Sequence, residues 1–256
     1  MKGFLQEYGV IMVVVAVVLG MLAFGKTGYA KSIQDAILGS ADHIVETGEN
    51  ITKPEIHVNT GDMLNIGGSK YIVLEEKGNN QALVMTTNCI GYKEFQSSYD
   101  KSTNLRSDGQ RANTYEGSDV DKYLENDWYK GLSTKMQSAI QTTNIKQASY
   151  YNSTPYPVLQ GEIGNTIGRH VFLPSVSEIS KVVDLKKPDK INEFLDGSYT
   201  WTRDSDLVYA DGAECLSSNI LRLAGYSVKE THGVRPAFVI DLSKVDYTEA
   251  GHVDYK

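Results

Sequence analysis

The chain has 256 residues, a net charge of −7 and a pI near 5.3. This acidic balance, with no run of Lys or Arg, argues against nonspecific nucleic-acid binding, and no nucleic-acid partner is expected. No C-x-x-C, H-E-x-x-H or Walker-type glycine motif occurs, so no metal or cofactor is expected either.

Residues 1–48 differ from everything after them. From Tyr8 to Gly25 there is no charged side chain, a length near the lower limit for a membrane-crossing helix. Ile33, Ala36, Ile37, Ala41 and Ile44 continue at helical spacing. The pattern predicts one long apolar helix with an amphipathic extension. A cleavable signal peptide is the rival reading, with Gly28-Tyr29-Ala30 as its nearest approach to a cleavage site. Glu7 stands at the edge of the apolar run, where a carboxylate is costly unless a positive group neutralises it.

The string Gly3-Phe4-Leu5-Gln6-Glu7-Tyr8-Gly9, followed by the apolar run, resembles the start of Flp/Tad-type pilins of the type IV family. The resemblance implies that Glu7 and Tyr8 serve assembly, with a homo-oligomer or filament built through residues 4–47. A plain membrane anchor is the alternative. Charge does not orient the segment, because Lys2 and the terminal amine on one side are matched by Lys26 and Lys31 on the other.

Residues 49–54 read as a linker ending at Pro54, 55–245 as a globular head and 246–256 as a tail. The head opens as an antiparallel meander of Met63–Ile66, Tyr71–Leu74 and Ala82–Met85. Gly67-Gly68-Ser69 and Gly78-Asn79-Asn80 supply its turns. Tyr92–Tyr115 reads as a polar surface excursion. A helix follows, capped by Ser118 or Asp119, and a second starts near Ser133. Gln147–Arg169 is read as irregular. Val171–Leu173 is a buried-type strand, after which Ser175 and Glu178 fit a capping box for a helix reaching Val183. Asp189–Leu195 is a further helix. The last third reads as Tyr199–Arg203, a loop-rich stretch to His232, and a strand from Val234 to Leu242.

The order of these pieces, closing on Trp201-Thr202-Arg203 and Gly233-Val234-Arg235-Pro236-Ala237, resembles an uncharacterised domain family of Gram-positive gut bacteria and their mobile elements, over about Thr60–Ser243. The closing strand is also similar to that of the C-type-lectin-like fold of formylglycine-generating enzymes. That resemblance implies a mixed lectin-like domain of antiparallel strands and short helices, which with the long N-terminal apolar helix makes the expected fold α+β. It implies that Trp201, Arg203 and Arg235 are scaffold. The ligand surface would be the segment before the last strand, with Asp204, Asp206, Tyr209, Asn219, Arg222 and Tyr226.

The five histidines fall into no nucleophilic constellation, the Asp204-x-Asp206 spacing fails the EF-hand loop, and catalysis is not expected. Cys89 and Cys215 lie far apart in sequence, which leaves a disulfide open. Sixteen tyrosines offer stiff amphipathic contact area. The expected function is cell-surface binding or adhesion, the head lying outside the cell and contacting a protein or glycan. The alternatives are a structural pilin subunit without a separate ligand and an enzyme related to the formylglycine-generating group.

Overall fold

A computed structural model describes residues 55–151, 158–195, 197–217 and 222–256. The meander forms as its turn chemistry dictates. β1 (Asp62–Ile66), β2 (Ser69–Gly78) and β3 (Gln81–Thr86) pair in sequence order. The two-residue links Gly67-Gly68 and Asn79-Asn80 all take positive φ, between 51° and 84°, as a type I′ hairpin turn requires.

Strands from later in the chain complete this first sheet. They are β5 (Ile140–Gln141), β12 (Ala237–Asp241) and β13 (Tyr247–His252), in the order β13-β1-β2-β3-β12-β5. Residues 246–256, set apart by sequence as a tail, thus supply the whole of an edge strand.

The second sheet is organised on β8 (Thr200–Asp206), every residue of which is buried. On one side lie β9 (Gly212–Ser217) and β10 (Arg222–Ser227), both antiparallel. On the other side β11 (Thr231–Gly233) pairs in parallel with the start of β8 and carries β4 (Tyr92–Glu94) beyond it. The far end of β8 pairs in parallel with β6 (Thr143–Tyr151) through Ser149↔Ser205 and Tyr150↔Asp206. β6 is one arm of a long antiparallel pair with β7 (Val158–Arg169).

The helices are short. α1 (Asp119–Lys122) is capped by Ser118 and runs through a π-helical turn, Tyr123–Trp128, into α2 (Tyr129–Gly131). α3 (Thr134–Ala139) is capped by Ser133. α4 (Val176–Ile179) carries the expected capping box, Ser175 and Glu178 each accepting from the other's backbone N–H. The longest among the described residues, α5 (Pro188–Leu195), spans 8 residues. The core joins both sheets around Trp201, Phe95, Phe172 and Phe238. The Trp201 indole meets Phe95 edge-on at 5.6 Å and donates Nε1–H to the Lys93 carbonyl at 2.8 Å.

The fold expected from sequence is corrected in two respects. The described chain is predominantly β rather than an α+β lectin-like mixture. The described parts of the stretches read as irregular, Gln147–Arg169 and Asp204–His232, are largely strand, because Gly- and Ser-rich sequence paired on a neighbour satisfies its backbone as well as apolar strand does. The long apolar helix was assigned to residues 1–48, which lie outside the described residues. Among the described residues no helix is long and apolar enough to cross a membrane, so the transmembrane and pilin-like readings are without structural support.

Candidate functional site

Beyond the far end of β8, which is buried through Asp206, the chain reaches solvent at Leu207–Tyr209. The chain leaves β8 in a turn, Leu207–Asp211, that is locked from below. Asp206 is buried, and its Oδ1 accepts from the backbone N–H of Val208 at 2.6 Å and of Tyr209 at 3.1 Å. The Asn113 side-chain amide reaches up from the 96–118 segment. Its Nδ2 lies within 3.0–3.2 Å of the carbonyl oxygens of Asp206, Tyr209 and Gly212. Gln147 on β6 ties the same segment in, donating to the Asn113 carbonyl and accepting from the Tyr115 N–H. Gly212 closes the turn: a Cβ there would stand 3.1 Å from the Cβ atoms of both Asp206 and Tyr209.

With its backbone so occupied, the turn points apolar side chains outward. Leu207, Val208 and Tyr209 are all exposed, Tyr209 by 63 %. The neighbouring strands extend the surface. The Leu207 N–H donates to the Tyr150 carbonyl at 2.8 Å, which sets Tyr151 beside the turn, and Tyr151 pairs with Val158. Tyr151, Val158 and Leu159 are about half exposed. Among the described residues, seven of nine exposed large hydrophobic side chains lie on this turn or on the β6–β7 pair, the seventh being Ile163. Large apolar groups concentrated at one end of a sheet mark an interaction surface, whereas single ones need no explanation.

Of the residues singled out by sequence, Tyr209 lies on this surface and Asp206 beneath it as the turn's anchor. Asp204 is fully buried in β8, with Oδ1 accepting from the Ala148 N–H and Oδ2 from the Val176 N–H. Desolvation pushes its carboxyl up to about 6. Tyr226 packs against Tyr199 and His232. Arg222 lies in β10 opposite Ser217. Asn219 lies outside the described residues, as do Glu7 and Tyr8. The contribution of Leu207, Val208, Tyr151, Val158 and Leu159 escaped the sequence reading. Its available signal was the unbroken Leu-Val-Tyr run following two aspartates.

Trp201, Arg203 and Arg235 are all buried. Arg203 forks onto Glu178 and also donates to the carbonyls of Lys146 and Leu173. Arg235 donates to the Thr86 and Phe194 carbonyls. Cys89 and Cys215 are free thiols, and burial pushes the Cys215 thiol well above its ordinary range.

Among the described residues no cluster of His, Cys, Asp and Glu is arranged to hold a metal. One arrangement has the order of a nucleophilic triad: Thr142 Oγ1 lies 3.1 Å from His170 Nε2, and His170 Nδ1 lies 2.5 Å from Glu125 Oε1. Thr142 is exposed rather than in a cleft. The His170 ring is stacked on Tyr129 at 4.4 Å, and Glu125 also accepts the His170 N–H. This is the geometry of a staple joining the π-helical turn to the end of β7.

Comparison with curated proteins and with solved structures finds no match. One family match covers residues 79–242, from the β2–β3 turn to the end of β12. It accords with the uncharacterised family that the sequence resembles, while the pilin-like and lectin-like resemblances have no counterpart among the matches. The chain therefore belongs to the family described as domain of unknown function (DUF6273).

Proposed function

We propose that this chain is a binding protein that engages a protein partner through the apolar end of the second sheet. The observation carrying this reading is the pre-organised turn Leu207–Asp211, whose backbone is held by Asp206 and Asn113 while three large apolar side chains face solvent. A surface ordered before binding loses little entropy on association. Tyrosine at its centre is a residue type favoured at binding hot spots. Aliphatic side chains, Leu207, Val208, Val158 and Leu159, outnumber the aromatic ones, which suits the apolar core of a protein interface better than a glycan that needs hydroxyl partners.

The test is a comparison of full-length wild-type protein with Tyr209→Ala and Val208→Ser. Binding to intact cells and to their extracted surface proteins is measured, with thermal unfolding as the control. The reading expects each variant to keep its unfolding temperature and to bind at least about thirtyfold more weakly, as loss of a hot-spot side chain does. Unchanged binding by both variants would exclude this surface. If wild-type protein instead sediments as a dimer that the variants abolish, the partner is a second copy of the chain.

A further inference from the structure

The buried arginines of the described structure are not alike. Arg106 pairs with Asp108 and Arg203 with Glu178. Arg235 is as buried as these, only 3 % exposed, yet no carboxylate among the described residues lies within ion-pair distance of it. Its Nε–H goes to the Thr86 carbonyl at 2.9 Å and one Nη1–H to the Phe194 carbonyl at 3.1 Å. The guanidinium also lies 4.3 Å over the Phe194 ring. A guanidinium carries five N–H donors, so among the described residues both protons of Nη2 and one of Nη1 have no hydrogen-bond acceptor.

Arg235 is one of the residues lining a cavity of about 380 Å³, together with the 87–92 segment, Leu195 at the end of α5 and Ser198. That volume falls within the range of small-molecule sites. Around it stand Cys89, a half-buried free thiol, and the exposed side chain of Asn88. Tyr92 and Ser198 meet across the cavity, hydroxyl to hydroxyl, at 3.3 Å. Ile90 and Leu195 supply apolar wall. No other cationic side chain lines it.

The geometry points to a binding site for a small organic carboxylate, its carboxylate seated on the free Nη edge of Arg235 and its apolar body against Ile90 and Leu195. A buried cation without a counter-ion is costly, and a ligand that supplies the counter-charge recovers that cost as binding energy. Planar donors suit a carboxylate, and a single guanidinium matches one negative charge. This inference rests on different residues from the apolar surface and stands or falls separately.

Cys89 makes the site testable, because it lies in the cavity wall while Cys215 is fully buried. The full-length protein is labelled with iodoacetamide, an uncharged reagent, and modification at Cys89 is followed by mass. Butyrate, its neutral isostere butyramide, and inorganic phosphate are compared at equal ionic strength. Butyrate at ten times its dissociation constant is expected to slow Cys89 labelling about tenfold and to raise the unfolding temperature. Butyramide is expected to do neither, and phosphate to act less than butyrate. Equal labelling rates with butyrate and butyramide up to about 50 mM, well above millimolar affinity, overturn the proposal. If phosphate protects more strongly than butyrate, the site is for phosphoryl groups and the carboxylate assignment fails. Asp196, which follows Leu195 in sequence, lies outside the described residues. A response to butyrate by Asp196→Asn but not by wild type would mean that the chain's own carboxylate occupies the guanidinium, and that result also overturns the proposal.

Discussion

Glu178 and Arg203 meet as a two-pronged pair inside the fold, Oε2 to Nη1 at 2.6 Å and Oε1 to Nη2 at 2.9 Å. Burial acts to raise the Glu178 carboxyl, but the Arg203 guanidinium and the Ser175 N–H outweigh it and hold the group below its ordinary range. The same carboxylate completes the capping box of α4, so one side chain both starts a helix and neutralises β8. Glu178→Gln is expected to cost about 3–5 kcal/mol, because it leaves a buried guanidinium without its charge partner. Replacing both residues by apolar ones of similar volume is expected to recover most of that loss, save about 1 kcal/mol for the cap. Urea unfolding of each residue's apolar replacement alone and of the double replacement measures the coupling. Strictly additive losses would show that the pair does not act as a unit.

His232 and Asp204 are expected to give opposite pH dependences that hide each other. His232 is enclosed by the rings of Tyr199, Trp201 and Tyr226. Its other charged neighbour, Glu230, is half exposed, with Oε2 3.6 Å from Nε2, too far to offset burial. Burial therefore depresses the imidazole to about 4. Stability from neutral His232 is present above the ordinary value near 6.5 and is lost as pH falls through about 4. Asp204 is raised to about 6. Its contribution is present below the ordinary value near 3.8 and is lost as pH rises through 6. Each effect is worth about 3 kcal/mol by linkage. As pH rises from 4 to 6, His232→Phe should therefore lose stability relative to wild type, and Asp204→Asn should gain it. Denaturant midpoints read as variant-minus-wild-type differences remove the other carboxylates from the comparison. Parallel profiles for all three proteins would refute the assignment.

Asn113 is predicted to matter to binding without touching a partner. Its amide holds three carbonyl oxygens of the Leu207–Asp211 turn and its flanks from beneath. Asn113→Ala strands buried carbonyls, at a cost of about 2 kcal/mol. It also frees the turn to sample other conformations, so partner binding should weaken although Tyr209 is intact. Amide hydrogen exchange checks the intermediate step: the Val208 and Tyr209 amides should exchange faster in the variant, while β9 stays protected. Weaker binding with unchanged exchange would locate the effect elsewhere.

Local chemistry was legible in the sequence and long-range pairing was not. The Gly67-Gly68 and Asn79-Asn80 turns, a helix start at Ser118 or Asp119, another near Ser133 and the Ser175–Glu178 box each depend on residues a few positions apart, and each was readable. β7 was not, because it is an exposed strand paired, among the described residues, only with β6. It has no buried face to impose an alternating pattern, and Gly161, Gly164 and Gly168 imitate turn signals. β8 misled for the opposite reason. Its Thr-Trp-Thr-Arg-Asp-Ser-Asp sequence looks solvated after the tryptophan, yet it is buried because Glu178, Lys146, Ala148 and Val176 satisfy Arg203 and Asp204 from elsewhere in the chain. The apolar surface was half visible, in that Tyr209 was singled out while its neighbours across β6 and β7 depend on that unread pairing.

Gly233 is predicted to be irreplaceable even by alanine, for a reason that separates packing from backbone conformation. Its φ is ordinary for any residue, but a Cβ there would collide with the Cys89 sulfur and stand 2.7 Å from the Tyr199 carbonyl oxygen. The Gly233 N–H donates to that same carbonyl at 2.8 Å, so the strand cannot shift away without breaking the bond. Gly233→Ala should cost about 3 kcal/mol, at the upper end of overpacking penalties. Adding Cys89→Ala removes the sulfur but not the carbonyl, and should restore only part of the loss. Full rescue by the second change would place the whole penalty on the sulfur, and no rescue would place it on the backbone; unfolding temperatures of the three variants decide between them.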